Sequence, residues 1–295
     1  MASLAASAPE STTNTNKLSH NVIQNTSKQD FATSGSADGF DFLVVADSHG
    51  YTNNKFYYTN MFKSIKWDVL LADESWKERI SKLCNLQERS RLIGTTLSCV
   101  KIYETHFEIT YIGDSSIKIY KKGEGKTLED GTAGSLLVWR SKDHDYDNEE
   151  DIAELRKDTN IRNISSAWDI QASTPDTMLS KKAKFFTFKD GERTNMTRCL
   201  GHRGSFSKLG MVTEIIPRDD EAFYKIVVAT DGFWQVMSDA DTEFIVDNSS
   251  DVLSQTARNR WEQEWTHDNS QGTITPNIKI PSHNWDDIAV ASWSN

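Results

Sequence analysis

Three short apolar runs, far apart in the chain, each lie beside an aspartate. The runs cover residues 42–46, 225–229 and 288–291, and the aspartates beside them are Asp47, Asp231 and Asp286. A short run rich in β-branched residues is typical of a buried strand. A carboxylate at the tip of such a strand lies near the low-dielectric core, where its charge is costly unless a positive group sits beside it. The pattern therefore predicts strand ends that need a cation.

The remaining hydrophobic pattern alternates between helical and strand spacing. Trp76, Ile80 and Leu83 predict a helix that ends before Gly94. Further segments predict an antiparallel meander (97–103, 107–112 and 117–120), an Asp-Gly hairpin (185–192) and later helices (243–246 and 252–265). Strands and helices grouped in blocks, with hairpins dominating, indicate an α+β sandwich.

The first 36 residues differ in composition from the rest. They are rich in Ser, Thr, Asn and Ala, and the first aromatic residue is Phe31. Such a stretch buries little apolar surface to offset chain entropy, so we predict a flexible segment over 1–36 that includes a first strand near Val22. From residue 37 to 295 there is no break in composition, and the sequence predicts one catalytic domain.

Composition and charge narrow the class of protein. The 295 residues include 43 acidic and 33 basic side chains, for a net charge of -10, and the basic residues are scattered. Binding to nucleic acid by neutralising phosphates is therefore not expected. No apolar stretch approaches the roughly 18 residues of a membrane span, and the first residues lack a basic start and a long apolar segment. We expect an intracellular, cytoplasmic protein, although the sequence does not exclude the nucleus, and it does not specify the oligomeric state.

The three cysteines do not suggest a disulfide framework or a zinc site. Cys84, Cys99 and Cys199 are widely spaced and include no Cys-x-x-Cys pair. They are typical of buried thiols in a reducing compartment. Four histidines show no ligand spacing among themselves and are assigned no role: His144, His202, His267 and His283.

Several motifs occur in the order known from one enzyme family. They are Asp47-Ser48-His49-Gly50, Gly94-Thr95-Thr96, Ile112-Gly113-Asp114-Ser115, Ser141-Lys142-Asp143-His144, Thr197-Arg198-Cys199-Leu200-Gly201-His202, Ala229-Thr230-Asp231-Gly232-Phe233-Trp234 and Asp286-Asp287-Ile288. In order and spacing they resemble the metal-dependent protein serine/threonine phosphatases of type 2C, the PPM family, over roughly residues 28 to 295. The resemblance implies a central β-sandwich of two antiparallel sheets flanked by antiparallel pairs of helices.

The residue types at the strand ends favour a two-metal hydrolytic site. Hard oxygen ligands such as Asp47, Asp231 and Asp286 select Mg²⁺ or Mn²⁺, because zinc sites usually recruit His or Cys. Two such ions about 3.5 to 4 Å apart can clamp a phosphoryl group and generate a hydroxide. The resemblance implies that Asp47 bridges the ions, that the Ser48 backbone carbonyl is a further ligand, and that a phosphorylated protein is the substrate.

Three other expectations complete the predicted site. Asp143 is the candidate outer ligand of a third, weaker metal, although the acidic run 143–151 is otherwise typical of a solvated helix start. His49 is placed to protonate the departing serine or threonine oxygen. Gln29, Asp30 and Asp287 are expected to support the metal ligands.

The chain departs from the family pattern upstream of the first strand. The family carries an arginine that grips the substrate phosphate and an acidic pair, where this chain has Asn25 through Asp30 with Gln29 in place of the glutamate. Lys28, Arg198 and Arg203 are the candidate phosphate contacts, but a lysine offers a point charge and not a bidentate fork. Gln235 and His202 replace further family aspartates.

Each assignment has a competing structural interpretation. An Asp-Gly after a strand is usually only a turn, and a lone histidine such as His49 is more often a surface residue than a catalyst. Asp114 and Ser115 are explained by a tight hairpin and are assigned a structural role. Three hypotheses follow: a Mg²⁺- or Mn²⁺-dependent phosphatase, a pseudophosphatase that holds a phosphorylated partner or a kinase, and a scaffold, for which the retained aspartates would be superfluous.

Overall fold

The computed structural model describes residues 17–25, 27–50, 56–85, 93–127, 133–157, 161–188, 193–202, 209–269 and 271–295. Within these ranges no helix combines the length and the apolar character needed to cross a lipid bilayer. The strands in chain order are β1 (Lys17–Ile23), β2 (Asp30–Ala37), β3 (Phe40–Gly50), β4 (Ile93–Thr95), β5 (Leu97–Ile102), β6 (His106–Ile112), β7 (Ser116–Thr127), β8 (Ala133–Arg140), β9 (Ile161–Thr174), β10 (Thr177–Phe188), β11 (Arg193–Thr194), β12 (Leu200–Gly201), β13 (Val212–Pro217), β14 (Tyr224–Ala229), β15 (Glu264–Asp268), β16 (Ile274–Lys279) and β17 (Ile288–Ser294). The helices are α1 (Tyr57–Ser64), α2 (Trp67–Ala72), α3 (Trp76–Asn85), α4 (Glu149–Leu155), α5 (Asp231–Trp234), α6 (Thr242–Asp247) and α7 (Ser250–Glu262), with short 3-10 helices at Asp239–Asp241 and Ser282–Asn284.

Two antiparallel sheets form the centre of the fold. The first has the strand order β1-β17-β14-β7-β8, and the second has the order β12-β4-β3-β5-β6-β13, with β2 added against β3. Their facing sides share one apolar core that includes Leu43, Val45, Ile226 and Val228. The α+β sandwich predicted from the sequence is confirmed. The predicted three-stranded meander is wrong in its third strand: β5 and β6 form an antiparallel pair, but β7 lies in the other sheet between β14 and β8. Three consecutive strand patterns show where the strands are but not which sheet each one joins.

Helices cover the outer face of each sheet. In β3 the odd-numbered Leu43 and Val45 face the other sheet, while Phe42, Val44 and Ala46 pack in the core beneath α1, α2 and α3. In β14 the same alternation sends Val227 and Ala229 toward α5, α6 and α7. Because side chains alternate along a strand, a fully apolar run buries both faces of its sheet. This explains why the strands next to the aspartates read as continuous hydrophobic runs.

A third sheet was not predicted. It has the order β11-β10-β15-β16, and β9 pairs with β10. The helix predicted over 252–265 ends at Glu262, because the following residues form β15, which lies parallel to β10 and antiparallel to β16. Trp265 is 1% exposed in this sheet. Its burial depends on strand partners distant in sequence, which helical periodicity does not reveal.

The segment predicted to be flexible contributes strands to both central sheets. Residues 1–16 lie outside the described residues, but Lys17–Ile23 pairs with β17, and Asp30–Ala37 pairs with β3. Phe31 and Ala32 are buried on opposite faces of the sheet, one under the helices and one between the sheets. The domain therefore begins well before residue 37. Two buried apolar side chains are enough to hold this strand, because its backbone also forms hydrogen bonds with a neighbouring strand.

Candidate active site at the strand ends

The pairing of the strands brings the predicted aspartates to one end of the sandwich. Asp30 on β2 lies directly opposite Asp47 on β3. Asp231 follows β14 and Asp286 precedes β17, and these two strands pair with each other. The Thr230 hydroxyl donates to Oδ2 of Asp30 at 2.7 Å, which connects the ends of the two sheets.

Gly232 allows the last two of these loops to touch. A Cβ atom at this position would overlap the backbone carbonyl of Asp287 and lie 3.0 Å from Cβ of Asp286. Only glycine fits so close an approach of two backbones. The glycine of the Asp-Gly pair is therefore required by packing, and it fixes Asp231 against the 286–287 loop.

The grouped carboxylates repel one another. Burial raises the pKa of Asp47 well above its usual range, and the negative charges of Asp30, Asp231 and Asp286 raise it further. Burial likewise raises the pKa of Asp286 well above normal, with Asp231 contributing. For Asp231, burial and then Asp114 raise the pKa to about 7. An ionised carboxylate in such surroundings needs a cation beside it.

Asp114 belongs to the same group, although the sequence assigned it only to a turn. It lies in the connection between β6 and β7, and burial together with Asp145 and Asp143 raises its pKa to about 8. Asp143 accepts hydrogen bonds from the hydroxyls of Ser116 and Ser141, the second at 2.8 Å. Burial nevertheless raises the pKa of Asp143 to about 6. The tight hairpin predicted here is wrong, because β6 and β7 belong to different sheets and this connection crosses between them. The Asp114 carboxylate in the connection also faces the site.

A cleft of about 600 Å³ opens beside this group. Asp114, Asp143 and Asp231 line it, whereas Asp47 and Asp286 are not in its lining. The β9–β10 hairpin of the third sheet supplies another wall, including Asp169 and further polar residues. Its basic lining residues are Lys118, Arg140, Lys142 and Lys181.

The residues present fit divalent cations. Oδ1 of Asp231 is buried and has no hydrogen-bond partner among the described residues. Ser48 is 2% exposed, and its φ is not in the left-handed region, so serine replaces the family's glycine without backbone strain. The donors are carboxylate and carbonyl oxygens, the ligands that Mg²⁺ and Mn²⁺ prefer.

His49 lies on the same strand as Asp47 but its ring is engaged elsewhere. Its Nε2 lies 2.7 Å from Nε2 of His202, and the two rings stack with centroids 4.8 Å apart. Burial, followed by the charge of His202, lowers the pKa of His49 well below its usual value. A neutral imidazole is thereby favoured at this position.

Asp287 holds the upstream segment in place. Its carboxylate accepts hydrogen bonds from the backbone amides of Asn25 and Gln29, the latter at 2.7 Å, and from the Ser27 hydroxyl at 2.6 Å. The Asn25 side chain donates to the carbonyl of Trp285. The supporting role expected for Asp287 thus takes the form of backbone anchoring, and position 25 is fixed beside the loop that carries Asp286.

The structure places the three predicted phosphate contacts in different surroundings. Arg198 donates through Nε to Asp151 at 2.9 Å and through a second nitrogen to the other oxygen of that carboxylate, so the prediction of a substrate contact is corrected to a structural ion pair. Asp151, which the sequence placed in a solvated helix start, is 1% exposed. Lys28 is exposed with a φ of 53°. Arg203 lies outside the described residues.

The fold matches solved serine/threonine phosphatases along most of its length. A serine-threonine phosphatase 2C from Toxoplasma gondii aligns with a TM-score of 0.55 at 13% identity, covering 95% of this chain and 94% of that one. A serine/threonine phosphatase from S. agalactiae aligns with a TM-score of 0.51 at 16% identity, covering 95% and 98%. A C. elegans sex determining protein aligns with a TM-score of 0.52 at 14% identity, covering 94% of this chain, which spans 64% of that protein.

Comparisons of the sequence with protein-family models and with curated proteins find no match. At identities of 11% to 16% a structural likeness establishes the fold, and the fold is that of the type-2C phosphatases, as the motifs predict.

Proposed function

We propose that this chain hydrolyses phosphoserine and phosphothreonine in proteins with Mg²⁺ or Mn²⁺. One observation carries the proposal: the carboxylates of Asp30, Asp47, Asp231 and Asp286 share one end of the sandwich, and the charges that raise the pKa of Asp47 there are acidic. Carboxylates with raised pKa values beside a cleft are typical of functional sites. The type-2C fold of the solved phosphatases supports this choice of reaction.

The residues that would hold the ions follow from their positions. Asp47, which lies opposite Asp30, would hold the ions together with the Ser48 carbonyl, Asp231 and Asp286. Asp143, at the cleft wall, is the candidate ligand of a weaker third ion. When bound, two ions polarise the phosphoryl group and supply a hydroxide at neutral pH.

The protein's own part is to position the phosphoprotein. Arg140 and Lys181 line the cleft from opposite elements, β8 and β10, and provide positive charge where Arg198 does not. Lys28 and Arg203 remain candidate contacts from the other side. We propose His49 as the group that protonates the departing oxygen, which requires its ring to leave His202 and carry the proton on Nε2.

A pseudophosphatase is the second candidate function, and two observations favour it. Asn25 stands where the family has its phosphate-gripping arginine, and its amide is already hydrogen-bonded to Trp285. The His49 ring is stacked on His202 and faces this partner through Nε2. A chain with these features would retain the metals and a phosphorylated partner but turn over slowly.

Hydrolysis of a phosphothreonine peptide, measured beside the melting temperature, tests the proposal. Both are recorded with Mn²⁺, with Mg²⁺ and with a chelator, for the wild type and for Asp286→Asn. We expect metal-dependent hydrolysis and a metal-dependent rise in melting temperature, because an ion that binds only the folded state stabilises it by about 2.7 kcal/mol at 100 times its Kd. A rise in melting temperature without hydrolysis supports the pseudophosphatase. If the metals cause neither hydrolysis nor a rise in melting temperature, both proposed functions are overturned.

A further inference from the structure

His49, Cys199 and His202 form a compact group of nitrogen and sulfur ligands near the end of β3, the strand that carries Asp47. Each offers one ligand atom, and these atoms all lie within 4.8 Å of one another. Cys199 and His202 are 1% and 3% exposed. Among the described residues no other group of three or more His, Cys, Asp or Glu side chains brings its ligand atoms so close together. The acidic residues of the cleft are thus more widely spaced than this group.

The backbone around the group is shaped to hold it. His49 on β3 lies opposite Gly94 on β4, and Gly94 lies opposite Gly201 on β12. A Cβ atom at Gly94 would lie 2.6 Å from Nε2 of His202 and would also collide with Nε2 of His49. His202 follows Gly201 with a φ of 44°, a left-handed conformation that is uncommon for a residue other than glycine. The absence of a side chain at Gly94 and the left-handed turn at His202 therefore make room for the two imidazole rings to lie together.

The chemistry of this group differs from that of the acidic cleft. Imidazole and thiolate are the ligands that zinc and its neighbours prefer, whereas carboxylate and carbonyl oxygens suit Mg²⁺ and Mn²⁺. Two imidazole nitrogens 2.7 Å apart need a shared proton or a cation, because their lone pairs otherwise repel. Zinc bonds of about 2.0 to 2.3 Å place tetrahedral ligand atoms roughly 3.5 Å apart, within reach of small rotations of these side chains.

We propose that His49, Cys199 and His202 bind one divalent ion of the zinc class, with the fourth coordination position open to water or an anion. The site joins the end of β3, which carries Asp47, to the turn after β12. It is separate from the Mg²⁺ or Mn²⁺ ligands, because it shares no side chain with Asp47, Asp231 or Asp286.

The site has a consequence for turnover, and this step rests on the proposed function. A metal on Nε2 of His49 occupies the nitrogen that would carry the proton to the departing oxygen. We therefore expect zinc to inhibit the enzyme and Mn²⁺ to activate it. Zinc acts through His49, Cys199 and His202, and Mn²⁺ acts through the aspartates at the strand ends. The carboxylates of Asp47, Asp231 and Asp286 would still hold Mn²⁺ while zinc keeps His49 from protonating the departing oxygen.

Cobalt titration of the full chain tests the site without reference to activity. Co²⁺ bound to a thiolate gives a charge-transfer absorption band that oxygen ligands do not produce. With excess Mg²⁺ to fill the acidic cleft, we expect the wild type to bind one equivalent of Co²⁺ with this band. The matched control is Cys99→Ser, which changes another buried thiol, on β5, and keeps the band.

Two variants remove ligands from the group. Cys199→Ser is expected to lose the band, and His202→Asn, which tolerates the left-handed backbone, to weaken Co²⁺ binding at least about 10-fold. No band in the wild type overturns the proposal and leaves the histidines sharing a proton. A band that survives in Cys199→Ser, or that is lost in Cys99→Ser, also overturns it, because another thiol is then the ligand.

Zinc inhibition of phosphothreonine hydrolysis tests the consequence. At saturating Mn²⁺, with each protein scaled to its own rate without zinc, we expect the wild type to be inhibited at about 10-fold lower zinc than Cys199→Ser. Equal inhibition overturns the link to His49. A wild type without phosphatase activity defeats the proposed function, while the cobalt band still decides the metal site.

Discussion

The protein places carboxylates in two kinds of region that treat the charge in opposite ways. In the first kind Asp151 is paired with Arg198, and Asp241 is paired with Arg260, and the shortest nitrogen-oxygen distances are 2.5 and 2.6 Å. In the other region Asp47, Asp231 and Asp286 face one another at the strand ends. Asp151 and Asp241 are buried, whereas the three strand-end aspartates are partly exposed.

The pKa values show what differs. Burial raises the pKa of Asp241, but hydrogen bonds from Arg260 and Ser238 outweigh it and hold the pKa below its ordinary value. For Asp47 the charges of its acidic neighbours add to the effect of burial and raise the pKa further. A carboxylate that the protein neutralises itself is part of the framework. A group of carboxylates whose pKa values are raised by one another is typical of a functional site.

The largest effect expected from this comparison is on activity. Asp231→Asn should lower metal-dependent phosphatase activity at least about 10³-fold, about 4 kcal/mol in the barrier, because it removes a metal ligand and one charge of the shared site. The folded state should remain intact, since a like charge is removed. Steady-state hydrolysis of a phosphothreonine peptide with Mn²⁺, beside the circular dichroism spectrum, measures both. Activity near the wild-type level would exclude the two-metal interpretation.

Asp241→Asn should behave in the opposite way. It leaves the Arg260 guanidinium buried without its carboxylate, and breaking a buried pair typically costs about 3 to 5 kcal/mol of stability. We expect a loss of about 3 kcal/mol or more in urea unfolding, with the catalytic rate of the remaining folded protein retained. A stability unchanged from wild type would show that the two regions do not differ as described.

The sequence predicts the acidic region better than the paired region. Asp47, Asp231 and Asp286 are recognisable because each lies at the end of an apolar run, which is a local signal. Arg198 and Asp151 are 47 positions apart, and their ion pair depends on how α4 packs against the segment before β12. The sequence around Arg198 is equally compatible with a contact to the substrate phosphate, so the role of this arginine could not be assigned from the sequence.

Other features also required the folded chain. His49 and His202 are 153 positions apart and meet only because β3, β4 and β12 are neighbours. Asp114 was assigned to a turn, and only the structure shows that its carboxylate faces Asp143 and Asp231. The sequence offers one signal for this role: in the order of the motifs, the segment of Asp114 is followed by the acidic segments of Asp143 and Asp231. The third sheet has a parallel pairing between β10 and β15, which local periodicity does not encode.

Lys225 extends the comparison to a buried cation that forms no ion pair with a carboxylate among the described residues. It is 4% exposed, and its ammonium donates to the Asn248 carbonyl at 2.8 Å and to the Ser292 hydroxyl at 3.2 Å. Burial, followed by the charge of Lys17, lowers its pKa from 10.5 to about 8. Between these pH values the unfolded chain binds the extra proton, so this residue makes stability rise with pH from about 8 to 10.5.

The size of the effect follows from the shift. One pKa unit corresponds to 1.36 kcal/mol, so the wild type should gain up to about 3 kcal/mol relative to Lys225→Met over this pH interval. Below pH 8 the variant should be the more stable protein, because the ammonium is charged in both states there and its desolvation penalty is fully present. Urea unfolding of both proteins at pH 7, 9 and 10 measures the difference. A difference that does not change with pH would show that the amine keeps its ordinary pKa.

The smallest expected effect concerns positive charge at the edge of the acidic region. Asn25 is held beside the 285–287 loop by the Asp287 carboxylate and the Trp285 carbonyl. In Asn25→Arg a guanidinium at this position can form a bidentate, charge-assisted contact with the substrate phosphate, which is about twice as strong as a neutral hydrogen bond. Loss of the hydrogen bond to Trp285 opposes this by about 1 kcal/mol. We therefore expect the KM for a phosphothreonine peptide to fall by only about threefold to tenfold, with little change in kcat.

Asn25→Gln is the matched control for that measurement, because it lengthens the side chain without adding charge, and its KM should not fall. Lys28→Ala and Arg140→Ala, made beside it, locate the cation that the wild type uses, since removal of a true phosphate contact raises KM. If Asn25→Arg leaves KM unchanged while one of these two variants raises it, phosphate recognition has moved to another face of the cleft. The similarity to the family upstream of Asp30 would then describe the strand and its anchoring by Asp287, and not the binding of substrate.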